Sequence, residues 1–321
     1  MTILFVAALL IVVVVVFGPR PRLGEPPGDP NVPQVDDLTD LAAWLREKEA
    51  SVPGLIDGAD ARVVFANPDT PAKTELCFVY IHGFSATWPE TAPVTSRIAE
   101  TFGANVLQAR LAGHGVGHEP MTTPAEAWLE SMLETWRVAR QLGNEIVLVA
   151  TSTGAPLAIW LATRAETAGA IKAMLFMSPN FGIRSKFDFL LTMPWSRYWI
   201  HWFIGRVREW APQSELEAKY WTWKYSTLSL IEMQKVVDWC NAQAARRFTW
   251  PLAMMYMKND PTVDPAKAIR FFERWGGRTK ALIPVTLDGE VAQHVFAGDI
   301  TAPHRTDWAV QQFTTFLSRL G

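Results

Sequence analysis

Cysteine is scarce in this chain: two residues in 321, Cys77 and Cys240. That excludes a disulfide framework, and Cys77, inside an apolar run, reads as a small core residue. No Cys/His cluster has zinc spacing, and no Gly-rich loop suited to cradling phosphate occurs, so neither a metal nor a cofactor is expected. Long runs of one charge are also missing. Thirty Lys and Arg against 32 Asp and Glu leave a net charge of −2, which gives no footing for a nucleic-acid partner. There is no internal repeat. The length suits one large α/β domain with an insert.

The most informative segment is Ala150-Thr151-Ser152-Thr153-Gly154. It follows a strand-like run, residues 146–149, and leads into a helix-like one, 155–160. Strand, small-x-Ser-x-Gly, helix is the sequence form of a nucleophile elbow, a tight turn that holds a serine in a strained conformation with Oγ above the sheet. Strand and helix then approach so closely that the residues two before and two after the serine must be small. Ala150 stands where glycine is usual, a departure of one methyl group.

A serine needs a base and an acid that orients the base. Six histidines are available. His82 and His114 sit beside glycines in loops after apolar strands, with His118 in the same loop as His114. His201 falls in a Trp-rich stretch and His304 in a polar segment. His294 follows the apolar run 281–287, in a loop after a late strand, and is the expected base. For the acid, the run 252–257 ends in Lys258-Asn259-Asp260-Pro261-Thr262-Val263-Asp264-Pro265. Asp260 lies directly past the strand end and is preferred. Its competitor Asp264 precedes a proline suited to the first turn of a helix and reads as an N-cap. Ser152, Asp260 and His294, each after its own strand, form a Ser, Asp, His order. An oxyanion hole is expected from the backbone N–H groups of Phe84 and Thr153. Phe84 follows the apolar run 76–81 in His82-Gly83-Phe84-Ser85, where Gly83 permits close approach to substrate. His82 is expected to shape that loop and not to transfer protons.

These pieces, with Arg110-Leu111-Ala112-Gly113-His114-Gly115, resemble the α/β-hydrolase superfamily, on its monoacylglycerol-lipase and carboxylesterase branch. The resemblance covers roughly residues 60–321 and implies a mostly parallel sheet flanked by helices, a cap before the strand carrying the acid, and His114 packed near the site. It implies cleavage of carboxylic esters through an acyl-enzyme on Ser152, with a small apolar ester as substrate. An amidase, aminopeptidase or acyltransferase on the same triad stays open, as does a non-catalytic scaffold that binds a lipid or a partner. An aminopeptidase would need an acid in the cap to grip the amine, and Asp188, Glu209, Glu215 and Glu217 are there.

Around this body the chain divides readily. Residues 3–17 are apolar throughout; as a helix, 1–17 would span about 26 Å, a little short of a hydrocarbon core of roughly 30 Å. An uncleaved membrane anchor is expected, with Arg20 and Arg22 slightly favouring a catalytic domain on the cytoplasmic face. A cleaved signal peptide and a secreted or periplasmic product is the rival, although no cationic residue precedes the run and no Ala-x-Ala follows it. Residues 18–36, rich in Pro and Gly, read as a linker. The hydrolase body takes 37–179 and 251–321. It begins with a helix over 37–50, whose apolar face carries Leu38, Leu41, Trp44 and Leu45, and its strand-helix alternation implies a parallel sheet. Residues 180–250 are too long for a plain connection and hold eight tryptophans, so they are expected to form an aromatic cap over the site.

Overall fold

The first helix, α1 (Leu38–Ala50), is capped by Asp37, whose side chain accepts from the Thr39 N–H at 2.8 Å, and it buries Leu38, Leu41 and Leu45. The computed structural model describes residues 17–117, 121–164, 166–167, 169–286 and 291–321. Strands and helices then alternate as β1 (Arg62–Val64), β2 (Thr74–Ile81), α2 (Val94–Thr101), β3 (Asn105–Gln108), α3 (Ala125–Leu142), β4 (Gly143–Thr151), α4 (Gly154–Ala162) and β5 (Ile171–Met177). After a long insert come β8 (Leu252–Met257), α8 (Pro265–Glu273), β9 (Lys280–Val285) and α9 (Pro303–Leu317). The insert holds α5 (Ser196–Ile204), β6 (Val207–Glu209), α6 (Glu215–Tyr220), β7 (Lys224–Ser226) and α7 (Thr227–Ala242).

Seven strands form one sheet in the order β1-β3-β2-β4-β5-β8-β9, parallel except for β1, which pairs antiparallel with β3. The central strands are buried on both faces, which is why they read as unbroken apolar runs. In β4, Ile146, Leu148 and Ala150 enter one core with α1, α3 and α4, while Val147 and Val149 enter the other with α2 and α9. β2 and β5 split in the same way. This is the α/β-hydrolase fold, a mostly parallel sheet with helices on both faces. Parallel strands put every strand C-terminus on one edge, and β2, β4, β5 and β8 all end beside one another there.

Residues 18–36 adopt neither helix nor strand and lie along α3. Arg137 binds Asp29 and the Pro30 carbonyl, Gln141 donates to the Pro33 carbonyl at 2.9 Å, and the Gly24 N–H donates to Glu126 at 2.8 Å. The expected membrane anchor needs correction. Among the described residues no helix is long and apolar enough to cross a membrane, and residues 1–16, which carried that expectation, lie outside the described residues. The anchored location on a membrane face is therefore withdrawn. His118 and Leu287 also lie outside the described residues.

Candidate active site

Ser152 joins β4 to α4 with φ +53°, a left-handed conformation that costs a non-glycine residue energy, and its N–H donates to the Met177 carbonyl at 3.1 Å. The turn is so tight that a Cβ on Gly154 would lie 2.2 Å from the Ile81 carbonyl oxygen. Glycine is therefore obligatory there, while the Ala150 methyl is accommodated inside the core. On the neighbouring strand end Gly83 also packs tightly: a Cβ on it would stand 3.1 Å from Ser152 Cβ. Phe84 follows, and Ser85 turns the chain with φ +63°. The backbone of 83–85 and the serine thus share one small space at the C-terminal edge of the sheet.

Asp260 leaves β8 and is almost fully buried. Its Oδ1 accepts from the N–H groups of Thr262 (2.8 Å) and Val263 (3.0 Å), and its Oδ2 lies 2.8 Å from His294 Nδ1. Burial by itself would raise this carboxyl; the charge and hydrogen bond of His294, with the two backbone N–H groups, outweigh it and hold the acid below its usual range. An ionised carboxylate at that position places the His294 proton on Nδ1 and leaves Nε2 as an acceptor. Nε2 is buried and makes no hydrogen bond, so none joins it to Ser152 Oγ here. Asp264 stands apart from His294. Its side chain accepts from the Ala266 N–H at 2.9 Å and caps α8.

His82 is fully buried, with Nδ1 2.9 Å from the Gly83 carbonyl and Nε2 accepting from the Leu111 N–H at 3.1 Å. Accepting at Nε2 fixes the proton on Nδ1, and burial pushes the imidazole down to about 4, so the ring is neutral at neutral pH. His114 packs 5.0 Å from it, against Trp128, and is driven well below its usual value by burial first and then by His82. Both rings tie the 110–115 loop to the 82–85 turn. Arg110 anchors that loop through a buried two-pronged pair with Glu49 of α1, at 2.5 and 2.8 Å.

Several residues at this site escaped sequence reasoning. Asn180 donates from Nδ2 to Thr153 Oγ1 at 3.1 Å, and its own N–H donates to the Ser152 carbonyl at 2.9 Å. Glu90 accepts the Gly83 N–H at 2.6 Å. From the insert, the Thr222 N–H donates to the Ser85 carbonyl at 2.7 Å, and the Tyr225 ring meets Phe84 edge-on at 5.2 Å. No spacing rule would have marked these positions; they are assembled by the crossing of elements far apart in the chain.

The model of the family described as serine aminopeptidase, S33 (Hydrolase_4) matches residues 73–285. No curated protein matches the chain by sequence. Among solved structures it is similar to a metagenome-derived lipolytic enzyme from work on LipS and LipT, at TM-score 0.64 and 15% identity over 83% of this chain and 99% of that one. It is similar to the monoacylglycerol lipase of Paleococcus ferrophilus, at TM-score 0.58 and 16% identity over 81% and 98%. A soluble variant of monoglyceride lipase from Saccharomyces cerevisiae gives TM-score 0.56 and 12% identity over 84% and 96%.

Proposed function

The chain belongs to the serine aminopeptidase S33 family of α/β-hydrolases, and from that footing we propose that it is a serine hydrolase of carboxylic esters with apolar acyl groups. The observation that carries this reading is the Asp260–His294 contact of 2.8 Å on the sheet edge where Ser152 is held at positive φ. Ser152 Oγ attacks the ester carbonyl as His294 Nε2 takes its proton. Asp260 keeps the proton of Nδ1 in place and stabilises the imidazolium that forms. The N–H groups of Phe84 and Thr153 hold the oxyanion, and His294 returns the proton to the leaving alcohol. Water then attacks the acyl-Ser152 ester by the reverse relay and frees the acid. His82, Gly83 and His114 shape the turn without exchanging protons.

Residues 180–250 act as the cap, through Tyr225 over Phe84 and Thr222 on Ser85. The state of the acids in this cap favours an ester over an N-terminal peptide. Asp188 is bound by Lys267, Glu209 pairs with Lys224 at 3.3 Å, Glu217 binds the Gln213 N–H, and Glu215 is exposed at a helix start. Three of these four are thus engaged, and Glu215 faces solvent at the start of α6. A panel of p-nitrophenyl esters and amino-acid anilides tests the reading: ester turnover that disappears in Ser152→Ala supports it. Turnover confined to anilides with a free amine would replace it with the peptidase reading.

A further inference from the structure

Glu90 sits in the one-turn helix Trp88–Thr91, 1% exposed, and the mechanism above leaves it without a task. Two segments bond its carboxylate, and a third packs against its backbone. The Gly83 N–H donates to Oε1 at 2.6 Å, which fixes the turn that carries Phe84. Tyr80 of β2 donates its hydroxyl to the same Oε1 at 2.8 Å and lies 2.9 Å from Thr151 Oγ1, the residue before the nucleophile. With one proton on the phenol, that chain runs from Thr151 through Tyr80 to Glu90. Oε2 lies within 3.3 Å of the point where a Cβ on Gly83 would stand, and Ser152 Cβ is 3.1 Å from the same point. The loop bearing His294 closes the third side: a Cβ on Gly298 would lie 2.8 Å from the Glu90 carbonyl oxygen, and the Asp299 N–H donates to the Ala92 carbonyl at 2.8 Å.

We propose that Glu90 is a positioning residue of the hydrolytic site. Its carboxylate ties the Gly83–Phe84 turn to the end of β4 and, when ionised, stabilises the charge that His294 gains as Ser152 attacks. This rests on the serine-hydrolase reading. The titratable groups around Glu90 are Tyr80 from β2 and His294 from the 291–302 loop, with Asp260 behind His294; β4 and its turn offer only hydroxyls. Other nearby charges are paired or face solvent: Arg62 with Asp60, Lys219 with Asp57 at 3.6 Å, and exposed Asp299. Burial pushes the Glu90 carboxyl up to about 7, against the hydrogen bonds from Gly83 and Tyr80 and the charge of His294. Glu90 therefore changes charge near neutral pH, and its ionised form is the one that stabilises the charge His294 gains.

The sign of the effect is fixed. Removing a negative charge beside His294 makes its protonated form less favourable, so the neutral base survives to lower pH. The test is the pH profile of kcat and kcat/KM for wild type and Glu90→Gln on one p-nitrophenyl ester, with melting temperatures across the same range. Glutamine keeps an acceptor for Gly83 and Tyr80 but no charge. Expected are an acid limb moved down by on the order of one pH unit and a kcat lower by on the order of tenfold with little change in KM. The fold also reports on the raised carboxyl. Its stabilising effect is complete below the unfolded value near 4.5 and lost as pH rises to about 7, so the Gln variant should gain in melting temperature relative to wild type over that interval. If Glu90→Gln does not fold, Tyr80→Phe keeps the carboxylate but removes its hydroxyl partner; losing that donor raises the carboxyl further, so the acid limb should move to higher pH, opposite to the Gln variant. An acid limb and kcat equal to wild type in a folded variant overturn the role of Glu90 while leaving the triad untouched. A wild type without ester turnover would instead remove the reading on which it rests.

Discussion

A side chain at position 154 has nowhere to go, because the Ile81 carbonyl already occupies the place of its first carbon. Gly154→Ala must push α4 off the sheet edge. We expect a loss of about 1–3 kcal/mol in denaturant unfolding, with activity falling further as Ser152 shifts. The two aspartates of the 258–265 segment should separate sharply. Asp260→Asn removes the carboxylate that fixes the His294 tautomer, so kcat should drop about 10⁴-fold. Asp264→Asn leaves a competent cap and should change stability by less than about 1 kcal/mol and kcat little. Asp260 also sets an acid limit on the fold. Its depressed carboxyl contributes stability that is fully present above the usual value near 3.8 and is lost as pH falls through the folded value; an Asn variant should therefore converge on wild-type stability in strong acid. Stability-pH curves that run parallel for the two proteins would contradict this. The positions of Ser152, Asp260 and His294 past their strands could be read from the sequence because each follows its own apolar run and parallel strands all end on one edge. Glu90 and Asn180 were not legible: a lone acid after Trp88-Pro89 and an amide after Ser178-Pro179 acquire meaning only when β2, β4 and β5 lie side by side.

The insert shows where composition stops informing. Eight tryptophans announced an aromatic element, and the structure distributes them among unrelated tasks. Trp199 packs with Leu191, Ile200 and Ile231 in a small core of the insert itself, Trp239 and Trp250 lean on the main core, and Trp202 is 76% exposed. From the insert, Phe84 is met by the ring of a tyrosine, Tyr225. Truncations should divide accordingly. Ile231→Ala, at a fully buried position, should cost about 2–5 kcal/mol with kcat/KM nearly intact in the folded fraction. Tyr225→Ala should instead lower kcat/KM and flatten the acyl-length profile at a smaller cost in stability. In wild type each methylene of the acyl group contributes up to about 0.8 kcal/mol, roughly fourfold in kcat/KM, until the pocket is full. A profile that is flat from acetate to octanoate would exclude an apolar acyl pocket beneath the insert.

At the scale of the whole molecule, continuous apolar runs marked strands buried on both faces, and their alternation with amphipathic helices indicated the parallel sheet. The antiparallel β1 did not announce its direction: Arg62–Val64 is three residues long and takes its orientation from β3 alone. Residues 18–36 were equally opaque, since Pro and Gly describe a chain without helix or strand, whereas ion pairs and carbonyl contacts decide that it runs along α3. The apolar start of the chain favoured a membrane anchor, and among the described residues no helix of that kind is found. The remaining fold converges on one edge, where a strained serine and a glycine turn pack closely together and Asp260, bonded to His294, stands past the end of β8. Treatment of the full chain with a fluorophosphonate, followed by peptide mass spectrometry, tests that convergence most directly. The account predicts a stoichiometric adduct on Ser152 that is lost in Ser152→Ala and slowed by orders of magnitude in Asp260→Asn; an adduct on Ser85 or Ser178 with Ser152 unmodified would contradict it.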